Sequence, residues 1–211
     1  MKFTSLLKKA IMALTGLAMA GFLVTHLFGN LMLFSGYEKY NAYAKVLEDN
    51  PLFLIPAEIG LLAVFILHIY LAYRLTVENR AARGQGYAEI QTNGESSFAS
   101  RHMWATGWII FFFVVIHVYM FKFGARPGAA GLWGLVIQEF RKPSVVIFYV
   151  VSMLAMGIHL SHAIGSSLQS LGLRDSGGRP RLGGASAAIG WGLAIGFAML
   201  PLWVILFDPK M

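Results

Sequence analysis

The sequence predicts an all-α membrane protein, a bundle of five transmembrane helices, and three observations carry that prediction. The 211-residue chain is 57% hydrophobic and only 13% charged, where soluble domains carry about 25% charged residues. Five apolar runs stand out, roughly 10–34, 52–73, 103–121, 144–168 and 185–207. Each is about 19–25 residues long, enough at about 1.5 Å per residue to cross a hydrocarbon core ~30 Å thick. The links between the runs are polar and rich in turn residues. The whole chain, 1–211, therefore reads as one membrane domain.

The first run follows MKFTSLLKK, a basic start that resembles a signal peptide. The apolar stretch continues to Phe34, too far for a signal core, so it reads as a retained span. GYEKYNAYAKVLEDNP leads to the second run, and RAARGQGYAEIQTNGESS to the third. GARPGAAGLWG opens the third link, which has room for a short interfacial helix ending near Phe140, and LGLRDSGGRPRLGG precedes the last run. Tyr73 and Arg74 read as an anchor at the end of the second span. Ten Lys and Arg residues lie on the side of the N-terminus with links two and four, against seven on the other. The positive-inside rule then puts the N-terminus in the cytoplasm and the C-terminus outside.

Composition excludes several function classes. The net charge of +7 is spread between spans and leaves no basic face for nucleic acid. There is no cysteine, hence no thiolate-bound iron–sulfur cluster, covalently attached haem or disulfide within the chain.

Five of the six histidines fall inside apolar runs: His26, His68, His117, His159 and His162. Ionisable groups at membrane depth are expensive and mark functional sites. Helical rise converts position into depth. His26 lies roughly 24 Å and His117 roughly 21 Å from the cytoplasmic edge, while His68, His159 and His162 lie roughly 8, 14 and 9 Å from it. An outer pair and an inner pair result, and the spacing of 42 residues from His26 to His68 recurs from His117 to His159. Zinc wants four ligands converging on one point. Two depth layers instead suit two b-type haems, each held by imidazoles from facing helices among the first four. Gly16, Gly21, Gly29, Gly107 and Gly157 are small enough to let a macrocycle approach. For the inner pair, depth leaves both His159 and His162 as partners of His68.

The segments MALTGLAMAGFLVTHLFGNLMLFSG, AEIGLLAVFILHIYLA, SRHMWATGW with IHVY, and GIHLSHAIGSSLQSLGL carry a resemblance over about residues 8–205. The chain resembles the single-chain, five-helix, di-haem cytochrome b subunits that anchor succinate dehydrogenases and fumarate reductases. That resemblance implies haem iron ligated by His26 with His117 and by His68 with His159, His162 being the alternative ligand. It implies a flavoprotein and an iron–sulfur subunit docked on the cytoplasmic face of a bacterial inner membrane. It further implies a membrane quinone as electron partner, menaquinone by analogy, and no dicarboxylate chemistry in this chain. Arg101 and His102, beside Trp104 and Trp108, would sit near the inner haem propionates. Higher oligomers of the complex are compatible with it.

Glu58 is the one carboxylate set within an apolar run. Helical angle turns it toward the histidine-bearing side at the depth of His26, where a partly buried acid would accept protons at a quinone site. Two other readings stay open: a free-standing di-haem quinone oxidoreductase, and a proton-coupled transporter with a histidine relay. Transporters of that kind show internal repeats or broken spans at matching positions, and the sequence by itself displays neither.

Overall fold

A computed structural model describes residues 4–83, 98–173 and 179–210. The described residues form helices and turns without a strand. Eight α-helices follow in order: α1 (Ser5–Leu31), α2 (Tyr37–Glu48), α3 (Pro51–Arg83), α4 (Phe98–Arg101), α5 (Met103–Lys122), α6 (Gly131–Phe140), α7 (Pro143–Ser170) and α8 (Arg179–Phe207). Five of them, α1, α3, α5, α7 and α8, are long and apolar enough to cross a membrane, in line with the five runs.

Three spans, α1, α3 and α8, outrun their apolar cores. The Thr4 hydroxyl accepts the Leu7 N–H at 3.3 Å and starts α1 at Ser5, as an N-cap should. α3 continues to Arg83, so Tyr73 and Arg74 lie within the helix and do not end it. Glu78 takes Lys8 at 2.6 Å across to α1 and Arg74 at 3.1 Å one turn back. Leu75 is buried within this extension, so the ion pairs add to apolar packing there.

The first link also holds a helix that hydropathy misses. Gly36 turns the chain at φ 91°, a value that favours glycine, and α2 then buries Tyr40 and Ala44, four apart on one face. The helix expected in the third link forms as α6. Asn41 joins the two, donating to Ala130 O at 2.9 Å and accepting from Trp133 N at 2.9 Å. Together α2 and α6 close the end of the bundle remote from the N-terminus. Tyr40, Trp133, Val136, Ile137 and Phe140 pack there on Leu33, Tyr149, Leu200 and Val204. Outside the spans, Glu48 grips Arg126 through both guanidinium nitrogens, one at 3.0 Å. That hydrogen bond holds the Glu48 carboxyl below its ordinary range and raises Arg126.

α7 is the central helix, packed on α1, α5 and most extensively on α8. The α7–α8 contact rests on small residues. A Cβ built on Gly190 would lie 2.7 Å from the Ser161 backbone nitrogen, and nothing lies within 4 Å of one on Gly192. Backbone cannot yield as a flexible side chain does. Gly190→Ala is therefore expected to destabilise the solubilised protein by about 1–3 kcal/mol through overpacking. Gly192→Ala should be neutral or stabilising by up to about 1 kcal/mol from helix propensity. Thermal unfolding of both variants in detergent checks the contrast.

Candidate functional site

The four spans α1, α3, α5 and α7 each bring a histidine into the bundle, and the structure draws them into two tiers. At the tier remote from the N-terminus, the His26 and His117 rings lie 6.0 Å apart, centre to centre, and nearly perpendicular at 89°. An aromatic wall surrounds them. Phe22 stacks on His26 at 5.1 Å, and Phe197 of α8 approaches it at 5.7 Å. Phe113 and Phe121, one turn either side of His117 on α5, flank that ring at 5.5 and 5.4 Å. The Tyr149 hydroxyl of α7 meets His117 Nδ1 at 2.8 Å.

The second tier is built by α1 against α3 and by α5 against α7. Thr15 Oγ1 lies 3.1 Å from His68 Nδ1, and Thr106 Oγ1 lies 3.2 Å from His159 Nδ1. Each threonine precedes its histidine by 53 residues. The glycine next to each threonine gives the ring room: a Cβ on Gly16 would stand 3.3 Å from His68 Cε1, and one on Gly107 3.7 Å from His159 Cε1. His68 and His162 both lie within electrostatic reach of His159.

These contacts fall on the repeat that the recurring 42-residue histidine spacing already marks. Thr15 and Thr106, Gly16 and Gly107, His26 and His117, and His68 and His159 are each separated by 91 residues. The half made of α1 and α3 and the half made of α5 and α7 thus present the same four side chains. Met12 and Met103, Phe22 and Phe113, and Val24 and Val115 repeat at the same offset, and Phe22 and Phe113 stack on the histidines of their own helices.

Of the five glycines expected to face the site, Gly16 and Gly107 do. Gly29 accommodates Tyr43 of α2 and Gly157 accommodates Trp191 of α8, whereas nothing lies within 4 Å of a Cβ on Gly21. Gly29 and Gly157 thus serve helix packing, while open space borders Gly21. Glu58 is nearly half exposed, and its carboxylate is held by Lys122 of α5. Partial burial was the expected setting for it; a lysine sixty-four residues away in sequence is what it meets.

His162 lines a cleft of about 350 Å³ between α7 and α8, with Ser161, Ser166, Gln169, Ser186 and Trp191. Arg101 and His102 are exposed at the junction of α4 and α5, where His102 Nδ1 lies 2.8 Å from its own helix at Phe98 O. Trp133 is one residue that sequence reasoning passed over. It is 3% exposed, and its indole N–H has no acceptor among the described residues. It packs in the same cluster as Tyr149, the partner of His117.

Among the described residues, no three histidine, cysteine or carboxylate side chains gather closely enough to hold a bare metal ion. The His26 and His117 imidazoles face each other, and two such donors are what a haem iron takes from a bundle. The backbones of α3 and α5 stand apart and meet through long side chains, Phe65 against Phe111 at 6.3 Å and Glu58 to Lys122. Residues and spacing therefore fit b-type haem.

Fold and site together define a multi-pass helical membrane protein with tiers of histidines inside the bundle. The chain is similar to the succinate dehydrogenase cytochrome b558 subunit of Bacillus subtilis (strain 168), with 25% identity over 158 residues that cover 72% of each chain. No family model matches it, and no solved structure does.

Proposed function

We propose that this chain is the membrane-anchor cytochrome b subunit of a succinate dehydrogenase or fumarate reductase, carrying electrons between an iron–sulfur subunit and a membrane quinone. The observation that carries the reading is the tiered histidine pairs, and the similarity to a succinate dehydrogenase cytochrome b558 subunit supports it. Two b haems, when bound, supply one-electron carriers at two depths of the bilayer. His26 and His117 would hold the outer one, with Tyr149 orienting His117. His68 and His159 would hold the inner one, with Arg101 and His102 toward its propionates. Trp133 offers a buried donor at the outer end, suited to a propionate or a quinone carbonyl. The chain would sit in a bacterial inner membrane with its N-terminus in the cytoplasm. Its partners would be the flavoprotein and iron–sulfur subunits, which do the dicarboxylate chemistry. The alternative reading, a histidine relay for proton transport, predicts a protein without haem absorption.

Purification of the tagged chain from its own membranes tests this directly. The expected result is a reduced-minus-oxidised spectrum of b haem and co-purification of a flavoprotein; a colourless preparation would overturn it. Glu58 is proposed as the proton acceptor at an outer quinone site, released from Lys122 when quinol binds. Glu58→Gln is expected to lower quinone-linked turnover about 100-fold or more, the range by which general bases act. Haem content and succinate oxidation with an artificial acceptor should stay unchanged, and full quinone-linked activity would reduce Glu58 to half of an ion pair.

A further inference from the structure

The inner histidines are held by threonines whose own hydrogen bonds dictate which ring nitrogen carries the proton. Thr15 Oγ1 lies 2.9 Å from both Ile11 O and Met12 O, and 3.1 Å from His68 Nδ1. A hydroxyl has one hydrogen and two lone pairs. The two carbonyls are acceptors only, so the hydrogen goes to them, as is usual for threonine bonding back along a helix. What faces His68 is then a lone pair, with the Met12 carbonyl beside it as a second acceptor for the ring, and only an Nδ1–H satisfies that contact. Thr106 repeats the arrangement, with His102 O at 2.8 Å, Met103 O at 3.2 Å and His159 Nδ1 at 3.2 Å.

We infer that Thr15 and Thr106 are paired positioning residues that fix His68 and His159 as Nδ1–H tautomers, aim their Nε2 lone pairs at the inner haem iron and lower its reduction potential. The inference rests on the proposed haem ligation. A hydrogen bond accepted from Nδ1–H makes the imidazole a more basic ligand, and a more electron-rich ligand favours the oxidised iron. The outer tier lacks this constraint. Tyr149 reaches His117 Nδ1 with a hydroxyl for which no backbone carbonyl partner is recorded among the described residues, so its hydrogen is not committed elsewhere. Two haems with like axial ligands would thereby differ in their second contacts, inner against outer, which is one way to separate their potentials across a membrane.

The test uses the assembled complex in native membranes, with Thr15→Val and Thr106→Val, singly and together, and Thr15→Ser and Thr106→Ser beside them. Valine keeps the shape of threonine and removes the oxygen; serine keeps the oxygen. Redox titration followed at the haem bands should show the inner midpoint potential moving upward in each valine variant, further in the double variant, while the outer potential stays put. The serine variants should titrate like the parent protein. Loss of the inner haem band in a valine variant, with retention in its serine counterpart, also supports the inference. Unchanged inner potential at full haem content in both valine variants would overturn it, as would serine variants shifted as far as valine. A parent complex without haem would instead sink the functional proposal beneath, and the two failures are thus distinguishable.

Discussion

Replacing His117 with alanine is expected to remove one of two b-haem components from the reduced spectrum, and replacing His26 should remove the same one. The rings face each other at 6.0 Å across α1 and α5, inside a wall of Phe22, Phe113, Phe121 and Phe197. Such a pocket is walled by aromatic rings, and with one imidazole gone a single histidine is left in it to meet an iron. Haem content of either variant, by pyridine haemochrome, should fall to about half if each site takes one haem between two histidines. The remaining component should match the one lost in His68→Ala. If His26→Ala and His68→Ala instead removed the same component, the tiers would be wrongly drawn, and the depth reading from the sequence would fall with them.

The depth reading rests on helical rise being nearly constant. Counting residues from a span's edge gives height without knowledge of the fold, and His26 with His117 follows from height alone. Rotation about the helix axis is a different matter. Thr15 and Thr106 look like ordinary small polar residues in apolar runs, and only the faces presented by α3 and α7 turn them into partners of His68 and His159. The same loss of angular information explains the glycines, of which Gly16 and Gly107 border histidines while Gly29 and Gly157 border Tyr43 and Trp191. It explains Glu58 as well. Its height was legible, but its partner Lys122 sits on a helix that hydropathy cannot orient relative to α3. The extension of α3 to Arg83 and the helix α2 lay beyond a hydropathy reading for another reason, since ion pairs beside the buried Leu75, and a four-residue apolar spacing, hold them rather than an apolar run.

The choice between His159 and His162 as the inner ligand is where geometry adds most to the sequence. They lie three residues apart on α7, and depth slightly favours His162, roughly 9 Å from the cytoplasmic edge beside His68 at roughly 8 Å. Three residues turn a helix by about 300°, which leaves the two rings about 60° apart on adjoining strips of α7, so what each strip faces decides between them. His159 points where Thr106 and Gly107 of α5 receive it, the counterpart of the place where Thr15 and Gly16 of α1 receive His68. His162 points into the cleft shared with α8, among serines and Gln169, and α8 supplies no histidine to pair with it. His159→Ala is therefore expected to abolish the inner haem component and to copy the spectrum of His68→Ala, with haem content again falling to about half. His162→Ala should keep both components. A further variant guards against simple misfolding. His159→Gly leaves a ring-sized space beside Thr106, and added imidazole should restore the inner band, bound through one nitrogen with its N–H toward the threonine hydroxyl. Retention of the inner band in His159→Ala with its loss in His162→Ala would assign the ligand to the cleft side of α7 and undo the pairing of the two halves.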